Sequence, residues 1–135
     1  MRHIISVMLV LIGLSLVSAA YGEENVFQTV VAPDGVQRVD VVGGSYFFKP
    51  NHIIVKVNIP VEMKVSKESG FTPHNIVMDS PDAGITFEES LSTTPKAITF
   101  TPTKTGKYPF YCTKHFLFFG SHRAKGMEGV LEVVE

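Results

Sequence analysis

The sequence predicts an all-β domain, a sandwich or a barrel, and three observations support this fold class. Short runs rich in Val, Ile, Phe and Thr recur along the chain after residue 22. These runs are separated by the turn signals Pro33-Asp34-Gly35, Gly43-Gly44, Pro81-Asp82-Ala83-Gly84 and Lys104-Thr105-Gly106. Apolar and charged residues alternate in Val61–Val65, as expected of a strand with one buried face. Many short β-type runs at this spacing are typical of all-β domains.

The individual strands follow from these runs and turns. They are predicted at Val26–Val31, Val36–Val42, Tyr46–Lys49, Ile53–Val57, Val61–Val65, Asn75–Asp79, Ala97–Thr101, Tyr108–Tyr111 and Val130–Val134. A helix is hard to place, and residues 85–92 are the stretch that could hold one turn. Met63 and Met78 fall within strand patterns, so we expect both in the core. His52 follows a turn and is expected at the surface rather than as a metal ligand.

Residues 1–22 have the pattern of a secretory signal peptide. A short basic start is followed by the apolar run Ile4–Val17 and by small residues, so we expect cleavage after Ala20 or Gly22. The alternative is a retained membrane anchor, but the run is shorter than the ~20 residues that span a bilayer. We therefore predict one domain, residues 23–135, in the periplasm or another exported location, without a stable membrane span.

Charge and cysteine content argue against two other classes of protein. Among the 12 Lys and Arg residues only Arg2 precedes residue 23, whereas all 13 Asp and Glu follow it, so the domain has a net charge of about −2. This balance does not favour a nucleic acid partner. The single cysteine, Cys112, excludes a disulfide framework. In an oxidising compartment a bound metal is one explanation for such a thiol.

Four side chains offer the donor set of a copper site: His74, Cys112, His122 and Met127. One thiolate, two imidazoles and a thioether suit copper in a trigonal His2Cys site with a long axial Met. Cys112 lies at the predicted end of one strand and Met127 at the start of the next, so the loop between them would sit at one pole. Zinc is an alternative, although its usual ligands do not include Met. A structural cysteine without metal is the other alternative.

Four segments carry a family resemblance, and they are Tyr46–Val55, Phe71–Asp79, Thr105–Cys112 and Gly126–Leu131. They resemble segments of the cupredoxins, the blue-copper family that includes plastocyanin. These are the early strand pair, the first-histidine loop, the strand into the copper cysteine and the Gly-Met-x-Gly ending. The resemblance implies a cupredoxin-like Greek-key β-sandwich for residues 23–135. It also implies that His74, Cys112 and Met127 supply an imidazole, the thiolate and the axial thioether, and that Asn75 ties the two ligand loops together.

The second histidine departs from the plastocyanin pattern Cys-x2-His-x4-Met. His115 has the right spacing from Cys112, but Gly120 stands where the pattern requires Met. His122 and Met127 have the His-x4-Met spacing, although nine residues then separate Cys112 from His122. Long spacers of this kind resemble the copper-nitrite-reductase type of blue site. We predict His122 as the ligand, with His115 as the alternative.

The predicted function is that of an exported one-electron carrier with one type 1 copper ion, acting as a monomer between redox partner proteins. His122, from the loop at the pole, is the expected electron port. The alternative is copper binding for storage, delivery or sensing, without electron shuttling. An enzyme is not predicted, because a Cys-His pair alone lacks an orienting third group and no spaced carboxylate pair argues for hydrolysis.

The insert Phe116-Leu117-Phe118-Phe119 has two interpretations. It folds back as a lid on the core, or it forms an exposed apolar patch where a redox partner docks. The basic residues close to it in sequence are Lys104, Lys107, Lys114, Arg123 and Lys125. Together they would form a basic rim that favours an acidic partner surface and weakens docking at high salt.

Overall fold

The structure is a computed structural model that describes residues 23–135, and these residues contain ten strands and one short 3₁₀ turn. The strands are β1 (Val26–Gln28), β2 (Gln37–Gly44), β3 (Phe47–Lys49), β4 (His52–Lys56), β5 (Val61–Lys67), β6 (Asn75–Ser80), β7 (Ile85–Ser90), β8 (Lys96–Phe100), β9 (Gly106–Tyr111) and β10 (Glu128–Val134). No helix in this part of the chain is long and apolar enough to cross a membrane. The predicted signal peptide, residues 1–22, lies outside the described residues.

The strands form two mixed sheets. The first sheet has the order β1-β4-β10-β9-β6-β7, and the second has the order β3-β2-β5-β8. β4 is parallel to both β1 and β10, and β2 is parallel to β5, while the other pairs are antiparallel. Successive strands such as β3 and β4 lie in different sheets, so connecting loops collect at the ends of a sandwich. The predicted all-β class is confirmed.

The core lies between the inner faces of the two sheets. Buried residues alternate with more exposed ones along β2, β4 and β5, which is the side-chain period of a half-buried strand. Phe48 of the second sheet meets Phe110 of the first edge to face, with ring centroids 5.4 Å apart. Met63 and Met78 are buried in this core, as predicted.

Two local elements differ from the prediction. Ile85–Ser90 form a strand that pairs antiparallel with β6, so the helical turn predicted within residues 85–92 is wrong. Strand pairing along the whole of β6 outweighs the weak local preference of this stretch. The 3₁₀ turn lies just before it, at Pro81–Ala83, and ends at Gly84 with a φ of 72°. The first strand is also shorter than predicted, and beyond it Val31 makes only an isolated bridge.

His52 links the N-terminal end of the described chain to β10. Its Nδ1 lies 2.6 Å from a Glu24 carboxylate oxygen, and its Nε2 lies 2.7 Å from a Glu132 carboxylate oxygen. Burial of the ring acts to lower its pKa, but the hydrogen bonds and charges of Glu132 and Glu24 outweigh burial and raise the pKa of His52 above 6.5. The His52 side chain is 12% exposed, while those of Glu24 and Glu132 are 66 and 27% exposed, so the ring is more shielded than expected but its ion pairs lie at the surface.

Candidate metal centre

Three strand ends meet at one pole of the sandwich. Cys112 directly follows β9, Met127 directly precedes β10, and His74 directly precedes β6. β9 lies between β10 and β6 in the first sheet, and the backbone N–H of Cys112 donates to the carbonyl oxygen of Met127 at 3.1 Å. The predicted position of Cys112 at a strand end and of Met127 at the next strand start is confirmed.

A tight turn between His122 and Met127 positions the second histidine. The carbonyl oxygen of His122 accepts hydrogen bonds from the backbone N–H groups of Lys125 and Met127, at 3.1 and 3.0 Å. Gly126 lies within this turn with a φ of 104°, a conformation that costs glycine little. The N–H of His122 donates to the carbonyl oxygen of Lys114 at 2.9 Å. The His-x4-Met spacing therefore corresponds to one hydrogen-bonded turn anchored at both ends.

The side chains of His74, Cys112 and His122 converge inside this pole. Nδ1 of His74 lies 3.2 Å from Nδ1 of His122, and Sγ of Cys112 lies 3.7 Å from the same nitrogen. The three potential ligand atoms all lie within 4.8 Å of one another. Cys112, His122 and Met127 are completely buried, and His74 is 4% exposed. The arrangement thus directs two ring nitrogens and one sulfur at a single shielded point.

Both imidazoles are biased toward the neutral form that a metal ligand needs. Burial, followed by the charges of His122 and Lys67, lowers the pKa of His74 to about 4. Burial also lowers the pKa of His122, and electrostatic interactions with Lys125 and His115 act in the same direction. At neutral pH each ring therefore has a lone pair available for coordination.

This donor set fits copper better than it fits zinc. Two imidazole nitrogens and a thiolate, with a methionine in the adjoining turn, match the residues of a His2Cys copper site with a weak axial thioether. Nε2 of His122 is buried and has no hydrogen-bond partner within residues 23–135. Such a group destabilises the fold, and a functional centre is one reason for a fold to retain it.

Asn75 joins the histidine strand to the cysteine strand. Its Nδ2 donates to Oγ1 of Thr113 at 2.7 Å, and its Oδ1 accepts from the backbone N–H of Thr113 at 2.8 Å. Nδ2 also donates to a Glu88 carboxylate oxygen at 3.0 Å. Because Asn75 follows His74 and Thr113 follows Cys112, these bonds fix the spacing of two donors. The hydrogen-bonded tie expected at Asn75 is confirmed.

Ser45 and Tyr46 also support the centre, and sequence reasoning did not select either of them. Oγ of Ser45 lies 3.3 Å from Nε2 of His74, so this ring can donate a proton there while Nδ1 stays free to bind a metal. The Tyr46 ring centroid lies 4.9 Å from that of His122. Neither residue has a recognisable motif, because their role depends on how β2 and β3 approach the ligand loops.

The structure separates the two candidate histidines. His115 is exposed and pairs through its backbone with Ser121 in an isolated β-bridge. His122 is the one grouped with His74 and Cys112. Since His122 is completely buried, it offers no direct contact surface to an electron partner, contrary to the expectation that it forms the port. Tyr46, which packs on it and is partly exposed, is the more accessible neighbour.

The insert after Cys112 forms a small exposed hairpin. Its residues Phe116, Leu117, Phe118 and Phe119 are 53, 66, 101 and 64% exposed. The lid interpretation is therefore wrong, and the exposed patch is observed. The basic rim is smaller than expected, because Lys104 and Lys107 lie at the opposite end of β9 from Cys112.

Solved structures of cupredoxin-like β-sandwiches have the same fold. The metal-binding domain of the Cu(I)-exporting P-type ATPase of Streptococcus pneumoniae D39, determined with Cu(I), matches 84% of this chain and 100% of that domain, with 21% identity and a TM-score of 0.64. Dithionite-reduced auracyanin from the photosynthetic bacterium Roseiflexus castenholzii matches 73% of this chain and 97% of its own, with 19% identity and a TM-score of 0.58. A chain of a heme-copper terminal oxidase dimer matches 83% of this chain and 71% of its own, with 16% identity and a TM-score of 0.60.

At these identities the likeness establishes the fold, which is the predicted cupredoxin-like Greek-key β-sandwich. The three similar structures come from a copper exporter, an auracyanin and an oxidase, so the fold by itself does not select one function. No protein-family model and no curated protein sequence matches the chain.

Proposed function

We propose that this chain is an exported carrier of single electrons, with one type 1 copper ion held by His74, Cys112, His122 and Met127. The observation that carries the proposal is the convergence of one ligand atom each from His74, Cys112 and His122 within 4.8 Å of one another, all three residues being buried. Copper, when bound, would supply the one-electron couple between Cu(I) and Cu(II). Redox partner proteins would deliver and accept the electron.

The residues around the centre hold the donors in place before any metal arrives. Cys112 and His74 are fixed by strand ends and by the Asn75 bonds, and His122 is fixed by its turn to Met127. A preorganised site changes little when its charge changes, which keeps the barrier to electron transfer low. Burial excludes water, so the thiolate is protected from other oxidants.

The burial of the four proposed ligands favours a carrier that keeps its metal over a storage or delivery protein. All four proposed ligands are at most 4% exposed, and a protein that must release copper gains nothing from so closed a cage. The same closure argues against an enzyme, because catalytic metal sites keep an open position for substrate. We therefore propose no catalytic residue.

The proposed carrier is an exported monomer. The signal-like residues 1–22 favour export, and the net charge of the domain gives no reason to expect nucleic acid. Burial of the single cysteine Cys112 leaves it unsuited to an intermolecular disulfide, which favours a monomer.

Addition of Cu(II) to the purified chain, with the visible spectrum recorded, tests the proposal. We expect the intense blue band of a copper–thiolate centre, lost in Cys112→Ser and in His122→Ala but kept in His115→Ala. Repeated reduction and oxidation with the copper content measured after each cycle then distinguishes a carrier from a delivery protein. A band that survives Cys112→Ser, or copper that leaves on reduction, would refute the assignment.

A further inference from the structure

Five large apolar side chains are exposed at the pole that contains the candidate metal centre. They belong to two loops and are Phe71, Phe116, Leu117, Phe118 and Phe119, named here the aromatic pole. Phe71 and Phe118 are as exposed as in an extended chain, at 107 and 101%. Consecutive exposed apolar residues in a soluble domain call for a functional explanation.

The tip of the hairpin has an unfavourable backbone for its sequence. The N–H of Phe119 donates to the carbonyl oxygen of Phe116 at 3.1 Å, which closes a β-turn around Leu117 and Phe118. Leu117 has a φ of 51°, in the left-handed region that favours Gly or Asn in such a turn. The chain therefore places leucine where it costs stability, and backbone strain of this kind clusters at functional sites.

The two loops form one continuous surface. Phe71, Phe116 and Phe119 line an open cleft of about 400 Å³ together with Tyr46 and Lys125. The Nζ of Lys125 lies 4.5 Å from the centroid of the Tyr46 ring. The aromatic pole thus consists of projecting apolar side chains with an open cleft between the two loops.

The charge around the aromatic pole is positive on balance: the basic residues Lys67, Lys114, Arg123 and Lys125 outnumber the acidic residues Glu68 and Glu128, although Glu128 pairs with Arg123 at 2.9 Å. No acidic residue occurs between Cys112 and Glu128, whereas Lys114, Arg123 and Lys125 do. On the other loop, Lys67 donates its Nζ to the carbonyl oxygens of Gly70 and Thr72, on either side of Phe71. Long basic side chains beside apolar tips suit an anionic interface, where the charges stay at the level of the headgroups.

We propose that the aromatic pole inserts into the surface of an anionic lipid bilayer, with the basic side chains contacting the headgroups. A fluid interface accepts tips that project separately from two loops, whereas a protein partner would need a matching pocket for each tip. Membrane insertion also accounts for the full exposure of Phe71 and Phe118 in the free chain. The proposal extends beyond electron transfer and applies equally to the metal-free protein.

A second apolar group on the same chain provides the matched control. Phe27 and Val30, near the edge of the first sheet, are 43 and 80% exposed. The charges around them are mixed, because Glu23 and Glu24 precede them in the sequence and Phe27 lines a shallow pocket with Arg38, Asp40 and Lys64. Removing this aromatic and aliphatic pair deletes exposed apolar surface from another part of the chain, although less than the hairpin pair exposes, and does not touch the hairpin.

Flotation with phosphatidylcholine vesicles, with and without phosphatidylglycerol, tests the proposal. The wild-type chain should partition onto the anionic vesicles, and added salt should release it. The pair Leu117→Asn and Phe118→Gly keeps a sequence that suits the turn and should weaken partitioning by at least about tenfold. The control pair Phe27→Asn and Val30→Asn should change partitioning by less than about twofold, by the same surface-area argument.

Tryptophan fluorescence gives an independent measurement, because the chain contains no tryptophan. Phe118→Trp should show a blue shift with anionic vesicles, and Phe27→Trp should not. An unchanged Phe118→Trp spectrum, equal flotation of the hairpin variant, or self-association of the wild type that the hairpin variant abolishes would each overturn the proposal. The blue copper band, recorded on each variant, shows whether the metal centre is intact independently of vesicle binding.

Discussion

Asn75→Ala should loosen the two strand ends that carry His74 and Cys112 while leaving the domain folded. The wild-type side chain is completely buried and makes three hydrogen bonds, of 2.7 and 2.8 Å to Thr113 and of 3.0 Å to Glu88. Alanine removes all three and replaces none. The perturbation therefore affects the spacing of two donors without changing a donor.

The size of the effect follows from the number of bonds lost. A net contribution of about 1 kcal/mol for each hydrogen bond predicts a loss of about 3 kcal/mol in the free energy of unfolding. A domain of this size has about 5–15 kcal/mol of stability, so the variant should still fold. Residues that orient metal ligands typically change metal affinity by about 10–100-fold, and we expect Asn75→Ala in that range.

Urea unfolding of the metal-free chain and competitive copper titration measure the two effects separately. Thr113→Val removes only the hydroxyl acceptor and should give about one third of the loss in stability, by the same count of bonds. Asn51→Ala is the control, because the Asn51 side chain bonds to the backbones of Glu23 and Asn25 rather than to a strand end that carries a proposed ligand, and it should leave copper affinity unchanged. A stability loss below about 1 kcal/mol for Asn75→Ala, less than one bond contributes, together with wild-type affinity, would refute the reasoning.

Three further substitutions have defined outcomes. A Cβ at Gly43 would lie 2.8 Å from Cδ1 of Leu91 and 3.1 Å from Cε of Met127. Gly43→Ala should therefore cost about 1–3 kcal/mol in urea unfolding, and displacement of Met127 should shift the visible band of the copper-loaded chain. His52→Gln should lower the free energy of unfolding most below about pH 6.5, because only the protonated ring gains from its carboxylate partners. The loss should become smaller as pH rises through the raised pKa of His52, and a difference that does not depend on pH would contradict this. A Cβ at Gly129 would lie 2.6 Å from the carbonyl oxygen of Asn51 and overlap the ring of Phe110, so Gly129→Ala should cost about 2 kcal/mol or more, and a thermal midpoint equal to that of wild type would show that the strands can separate.

Much of the site was predictable because local sequence determines where a strand ends. Cys112 ends β9 and Met127 precedes β10, and these two strands are antiparallel neighbours in the first sheet. Their proximity therefore follows from the one connection between consecutive strands. His74 was selected as a donor by residue type and by the family resemblance, but its position beside Cys112 does not follow from local sequence, since its strand joins β9 across a long stretch of chain. Tyr46 and Ser45 were not predictable, because contacts between separate sheets have no signature in one sequence.

The strand β7 is an element that local sequence did not predict. Its residues Ile85–Ser90 include two adjacent glutamates, and the alternation of apolar residues stops after Phe87, so the local sequence signal for a strand is weak there. Pairing with β6 supplies the hydrogen bonds that decide its conformation. Tertiary context of this kind overrides propensity more often in strands than in helices.

The long spacing between Cys112 and His122 is compatible with a compact centre because the inserted residues leave and return at the same place. At the base of the insert, the backbones of His115 and Ser121 form a bridge, and the N–H of His122 bonds to Lys114. Cys112 is bonded directly to the backbone of Met127, so the donors are held by contacts that do not pass through the hairpin tip. Length and composition of the tip can therefore vary without moving the ligands, and this independence leaves the insert free to carry a separate surface property.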